Sequence, residues 1–414
     1  MTTDNTDATP SAVRRQPREI NEETLELVRR RIGIPIRSGQ QSHNESCASD
    51  SFRHFSQGYG DDNPLYCDPT YGRTTNWGSV IAPPMYPISA GVRGDSNWTA
   101  EQRSAMNGGD PLAGINQYMC GERWLFLAPV HPNSYLVRNQ SLHSAVLKTG
   151  GTNSRAGILA SHEVTWRDEG NSTVALRYID YWHSSRSKSN QPESRPQVER
   201  TIYSDADLEE IDACYETEFV QGNQPRLIDV AVGDTLGPIV KGPLCVADII
   251  SYHTAIGWSG FGGGTSTIAY KTRRRIPKFY SRNELGFWDT SQRCHWDDEF
   301  AQQLGQPTAY DYGAMRTNWM VHLVTNWMGD DAWLWKLSAY IHKFNYMGDV
   351  HYVSGAITAV DSANSTVDID IAGTNQRGEI TCTGSACVIL PSALNPVVHV
   401  PAFKEGDVLE AIAP

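Results

Sequence analysis

Helical and strand-like spacings follow one another along this chain in an order that occurs twice. INEETLELVRRRIGI (20–34) carries charged and aliphatic residues at helical spacing. CASDSFRHFSQGYG (47–60) is a shorter helical pattern that ends in glycine. CVADIISYHTAIG (245–257) has the same build: Cys, then Ala-Asp, a His in the next turns, then Gly. Tyr312 to Trp327 has apolar residues at helical spacing. β-like runs are predicted from FLAPVHP (126–132) and from FNYMGDVHYVSGAI (344–357). A helix followed by several long strands, given twice, predicts an α+β repeat.

Polar stretches divide the pattern. Residues 1–20 are predicted to be flexible. SSRSKSNQPESRPQVER (184–200), rich in Ser, Pro and charge, reads as a linker. SDADLEEIDACYETEF (204–219) follows as a helix with Ser204 as its N-cap. The expected organisation is therefore a first repeat over 21–185, a linker with a helix over 186–225, and a second repeat over 226–414. The second repeat holds an insertion at 258–293, and TGSACVILPSALNPVVHVPAF near its end reads as strand and loop. Between repeats, Tyr66-Cys67-Asp68 aligns with His295-Trp296-Asp297, and Trp77-Gly78 with Leu304-Gly305.

Composition narrows the classes. With 414 residues, 39% hydrophobic and 20% charged, the chain can bury sizeable cores. A formal net charge of −12 argues against a surface that coats nucleic acid. No apolar run reaches the roughly eighteen residues a membrane helix needs, and MTTDNTDATPSAVRR lacks the apolar core of a secretory signal. The eight cysteines show no CxxC or zinc-finger spacing, so they read as reduced thiols of a cytoplasmic protein. No HExxH or clustered facial set predicts a metal, and no cofactor is expected.

One segment is more specific. Gly60-Asp61-Asp62-Asn63-Pro64-Leu65-Tyr66 resembles the Gly-Asp-x-Asn-Pro-aliphatic-His signature of MaoC-like dehydratases and R-specific enoyl-CoA hydratases. Asp61, Asn63 and Pro64 match it, Tyr66 stands in the His place, and Asp68 matches a trailing Asp. Ile81-Ala82-Pro83-Pro84 matches an Ala-Pro-Pro of two-repeat members. His295-Trp296-Asp297 matches the His-x-Asp end of the signature, and Tyr310-Asp311-Tyr312-Gly313 sits where many relatives have His-Gly. The resemblance implies a double hotdog: two antiparallel sheets, each wrapping a central helix and joined edge to edge.

The resemblance also implies a catalytic Asp and His five residues apart in one repeat. Neither half keeps both: the first has Asp61 with Tyr66, and the second has His295 with Thr290. Hydrating an enoyl thioester needs a base for water, a proton donor to Cα and a donor to the thioester oxygen. The expected carboxylate is Asp61, with Asn63 orienting water or substrate; the bland alternative is an Asx turn capping a helix. The expected imidazole is His295, able to act near neutral pH, with His253 and Asp297 as companions. Tyr66, Tyr312, Gly313 and Arg316 are candidate substrate contacts, Arg316 alternatively holding Asp311. In the insertion, Arg273, Arg274 and Arg275 form a basic run suited to CoA phosphates or an acidic carrier protein.

Equivalent sites of a hotdog pair lie on opposite sides of the shared interface. A site around Asp61, or one around His295 with His253, Asp289 and Asp297, is therefore expected rather than an Asp61–His295 dyad. The expected activity is hydro-lyase action on an acyl-CoA or acyl-carrier thioester. Thioester hydrolysis, and a non-catalytic subunit completing a partner's site, stand as alternatives. A homo-oligomer or a second hotdog subunit is the expected assembly.

Overall fold

The computed structural model describes residues 17–36, 42–94, 97–148, 156–184, 198–218, 225–257, 264–394 and 396–401. Its helices are α1 (Glu22–Arg29), α2 (Ser49–Gln57), α3 (Pro64–Cys67), α4 (Pro69–Gly72), α5 (Ala100–Met106), α6 (Asp205–Thr217), α7 (Val246–Ile256), α8 (Ser266–Arg275), α9 (Asp298–Gln303) and α10 (Gly313–Met328). The first-half strands are β1 (Val92–Arg93), β2 (Asn116–Phe126), β3 (Val137–Lys148), β4 (Gly157–Arg167) and β5 (Thr173–Ser184). The second half adds β6 (Thr235–Lys241), a small hairpin β7 (Tyr280–Arg282) and β8 (Trp288–Thr290), then β9 (Trp333–Ile341), β10 (His351–Asp361), β11 (Thr366–Asn375) and β12 (Ile380–Ile389).

All strands except the hairpin form one ten-stranded sheet in the order β1-β3-β4-β5-β2-β9-β12-β11-β10-β6. Read inward from each edge the two halves have the same order, so a pseudo-two-fold axis passes between β2 and β9. These strands pair antiparallel from Gly121↔Tyr340 to Leu125↔Lys336. Backbone hydrogen bonds across that seam turn two expected sheets into a continuous one. The expected edge-to-edge joining is present; the separateness of the sheets is not.

The halves also differ in their helices. α10 is sixteen residues long and buried nearly all round, packed against β6, β9, β10, β11, β12 and, across the seam, β2. Among the described residues of the first half there is no counterpart: at the equivalent place Tyr86–Ser89 forms a single 3₁₀ turn. Pro83, Pro84 and Pro87 explain this, because each lacks an amide hydrogen and their rings block a regular helix. The expectation of a central helix wrapped in each half is corrected to one, in the second half.

The other predicted helices fall where spacing placed them. Asn21 caps α1, and Ser204 caps α6 with Asp207 completing the box. α2 and α7 pack on each other, so closely that a Cβ on Gly58 would lie 2.3 Å from that of Ala255. Two expected strand runs are displaced. β2 ends at Phe126, where the chain meets Pro129 and Pro132, and β10 begins only at His351, after a turn at Gly348. Most of the expected linker, residues 185–197, lies outside the described residues, as do 258–263 of the insertion and most of the expected flexible N-terminus.

One apolar core runs through both halves. Phe52, Phe55, Met85, Tyr86, Trp124 and Trp166 pack in the same cluster as Ile249, Tyr252, Trp319, Val324 and Leu337. Burial of that area supplies the main driving force for holding the halves together.

Candidate functional site

Asp61 sits in the turn that leaves α2. Gly60, at φ +76°, reverses the chain there. The Ser56 hydroxyl donates to the Asp61 carbonyl at 2.8 Å, and the Asp61 amide donates to the Ser56 carbonyl at 3.2 Å. The Asp61 carboxylate accepts from the Asn63 amide (2.9 Å) and from the Tyr59 hydroxyl (3.0 Å), and the residue is 1% exposed. Asn63 uses its own side-chain oxygen to cap α3, accepting from the Leu65 amide at 2.9 Å. The signature is thus an Asx turn and a helix cap, which holds one carboxylate inside the protein.

What faces that carboxylate comes from the second half. His322, on α10, places Nε2 3.5 Å from Asp61 Oδ1 and 2.9 Å from Glu218 Oε1. It has hydrogen-bond alignment with neither carboxylate, although the residue is only 1% exposed. On its other side, His322 Nδ1 lies 2.7 Å from Lys241 Nζ, and Lys241 also donates to the Gly60 carbonyl at 2.8 Å. Asn326, one turn on, donates to Glu218 at 3.2 Å. Two carboxylates, an ammonium and an imidazole thereby share one buried space where first-half and second-half segments meet.

Burial works against every charge here, and the partners decide the outcome. For Glu218, burial pushes the pKa up, but the close approach of His322, then the Lys241 ammonium, brings it below the ordinary carboxylate value. Burial lowers the Lys241 pKa, with Glu218 and Asp61 opposing. Removing one partner from such a set costs about 3–5 kcal/mol, because an uncompensated charge is left inside. Tyr66, 2% exposed, lies beside Asp61 and Thr325; burial and then the Asp61 charge push its pKa well up, so it remains a neutral O–H donor.

A second cluster forms at the start of α10. His295 donates from Nδ1 to the Tyr310 carbonyl at 2.8 Å, and its ring centroid lies 3.7 Å from that of Tyr312. The Tyr312 hydroxyl donates to Gln292 Oε1 at 2.9 Å and lies 3.2 Å from His253 Nε2. Burial lowers His295 to about 4; burial and then His295 lower His253 to about 3, so both are neutral at pH 7. Of the set expected around His295 the cluster brings in His253, joined by Tyr312 just before α10, while Asp297 is held elsewhere.

The remaining expected residues are held by neighbours. Asp297 caps α9, accepting from the Phe300 amide at 3.0 Å, and lies 3.3 Å from Arg293. Asp68 caps α4 in the same way, which supports the repeat alignment. Arg316 is buried and takes the second of its two expected roles: its Nε lies 2.9 Å from Asp311. Arg273 stacks on Trp288 and Tyr270, leaving Arg274 and Arg275 exposed. Asp61 and His295 belong to separate clusters. Reading the sequence missed His322, Lys241 and Glu218.

The family comparison bears on the first half. Residues 38–175 match the model of the FAS1-like dehydratase domain region, a segment that contains the Asp61 turn. A solved MaoC-like dehydratase superposes with a TM-score of 0.59 at 14% identity, covering 87% of this chain and 98% of its own. A MaoC domain dehydratase from Chloroflexus aurantiacus gives 0.50 at 12% identity, covering 86% and 96%. The chain has the double-hotdog fold of the MaoC-like dehydratases. The segment matched by the family model includes the Gly60–Tyr66 signature. No curated protein matches the sequence. In this double hotdog the two halves share one sheet, and a single long helix serves both.

Proposed function

We propose that this double hotdog is a hydro-lyase adding or removing water at the α,β-position of an acyl thioester, with Asp61 and His322 as its working pair. The observation that carries the reading is the 3.5 Å approach of the His322 imidazole to the signature carboxylate. It supplies from the second half the imidazole that Tyr66 displaced from the first.

The roles follow from the groups. Asp61 takes a proton from water as its oxygen bonds to Cβ; the π electrons pass toward the thioester oxygen, and His322 Nε2–H delivers the proton that Cα gains. The neutral Tyr66 O–H donates to the developing enolate oxygen. The start of α10 does not serve this site. At about 1.5 Å per residue, Gly313 lies roughly 14 Å along the axis from His322. The exposed Arg274 and Arg275 suit the phosphates of CoA, and the reaction requires no metal. Assembly as a homo-oligomer, or with a second hotdog subunit, fits the same reading.

The test is turnover of short, medium and long trans-2-enoyl-CoA thioesters, followed by loss of conjugated-thioester absorbance. Asp61→Asn and His322→Gln are expected to lower kcat about 100-fold or more, with His295→Ala near wild type. Loss confined to His295→Ala would move the site to the second cluster. Wild-type silence with no thiol released would reject both enzyme readings and leave a subunit that completes a partner's site.

A further inference from the structure

The 2.7 Å contact between Lys241 Nζ and His322 Nδ1 constrains where protons can sit. Two nitrogens that close cannot both present hydrogens, so one proton lies between them. With Lys241 as ammonium, Nδ1 must accept, and the neutral imidazole must carry its hydrogen on Nε2, facing Asp61 and Glu218. That hydrogen has no aligned acceptor in a nearly fully buried place. Buried polar groups are rarely left so, and those that are call for an explanation.

We propose that Lys241 is a positioning residue that fixes His322 as the Nε2–H tautomer and replaces the proton His322 gives up. The inference rests on the hydro-lyase reading above. As Nε2–H passes its proton to Cα, the Lys241 proton moves to Nδ1, so the imidazole stays neutral and never becomes an imidazolate. Asp61, now holding the proton taken from water, returns it to Nε2, and Nδ1 gives its proton back to Lys241. Every proton is accounted for: water has given one proton to Cα and its hydroxyl to Cβ. Burial, which lowers the Lys241 pKa, eases the transfer, while the Glu218 and Asp61 charges keep the resting ammonium in place.

The groups facing His322 come from four elements: Asp61 and Tyr59 after α2, Lys241 on β6, Glu218 after α6, and Asn326 on α10 itself. Of these only Lys241 is a cation, and only it touches Nδ1. Its hydrogen bond to the Gly60 carbonyl also ties the imidazole to the turn that carries Asp61.

The experiment uses the full chain with ¹⁵N-labelled histidine, the His322 signals being assigned by their loss in His322→Gln. Wild type is expected to show the Nε2–H tautomer at pH 7, and Asp61→Asn is expected to shift it. Lys241→Met should release the tautomer and lower kcat about tenfold or more with KM little changed. Lys241→Arg should keep the tautomer yet stay slow, because a guanidinium donates a hydrogen bond but does not surrender its proton. An Nδ1–H or doubly protonated His322 in wild type, an unchanged tautomer in Lys241→Met, or full turnover in Lys241→Arg would each overturn the proposal. Thermal melting of each variant separates misfolding from these outcomes, and the wild-type tautomer is readable without any substitution at Lys241. If wild type turns over no thioester while the tautomer results hold, the hydro-lyase reading fails and the positioning of His322 stands.

Discussion

His322 Nε2 and Asp61 Oδ1 stand 3.5 Å apart, one on the long helix of the second half and the other in a turn of the first. The pair exists because the sheet is continuous. β2 and β9 bring the halves edge to edge, and α10, packed across both, carries its imidazole under the first-half turn. The first-half turn, with Tyr66 and no histidine of its own, meets an imidazole contributed by the second half.

Tyr66 is the first place to test that site. In Tyr66→Phe the ring remains to fill its buried position while the O–H donor is lost. The expected result is a fall in kcat of about 10²–10³ with KM nearly unchanged, the effect of removing one donor to a developing oxyanion. Steady-state kinetics on a reactive enoyl-CoA would decide it, and an unaltered kcat would leave Tyr66 as packing.

Much of this was readable in the sequence, and the remainder was hidden for physical reasons. The helices at 49–57, 246–256 and 313–328 followed from spacing, and the Asp61 turn from its motif. The missing first-half helix was written in Pro83, Pro84 and Pro87, and was overlooked because the repeat was expected to be complete. His322 was lost inside an apolar helical pattern, where a lone histidine reads as core. Its signal is the polar stripe Asn318, His322, Thr325 and Asn326, spaced i, i+4, i+7, i+8 on a helix buried nearly all round. Lys241 and Glu218 carried no local pattern. Their roles arise only when distant segments meet.

The packing of α2 on α7 makes a steric prediction. Gly58→Ala would set its Cβ 2.3 Å from the Ala255 Cβ, closer than two carbons can stand. Overpacking of this kind costs about 1–3 kcal/mol. Ala255→Gly in the same chain should recover most of that loss. Denaturant unfolding of both single variants and the double variant gives the coupling; strict additivity would show that the helices part to absorb the methyl.

Buried histidines should make the protein acid-labile. Burial lowers His183 and His295 to about 4, and His253 and His351 to about 3, from an ordinary 6.5. Depressed pKa values mean that the unfolded chain binds protons first. The stability these neutral rings contribute is whole above pH 6.5 and is lost as pH falls toward their folded values. Both His183 ring nitrogens lack a hydrogen-bond partner, so His183→Leu should cost little polar contact. Between pH 7 and 5 that variant should lose roughly 2 kcal/mol less than wild type in urea titrations. Equal losses would show that His183 titrates alike in both states.

The basic run after Tyr270 makes the substrate's nucleotide end testable. Arg273 is occupied by the Trp288 and Tyr270 rings, whereas Arg274 and Arg275 are exposed at the end of α8. On a chain of net charge −12 their attraction for phosphate is local and open to screening. Replacing both by Ala should raise KM for an enoyl-CoA several-fold at low salt and leave kcat alone, the mark of binding shared by ground and transition states. The difference should fade toward 1 M salt, where the screening length falls to about 3 Å. A pantetheine thioester, which lacks the nucleotide phosphates, should not distinguish the variant from wild type at any salt. Should the variant match wild type on the CoA thioester at low salt as well, these arginines face solvent only, and the CoA end is bound elsewhere.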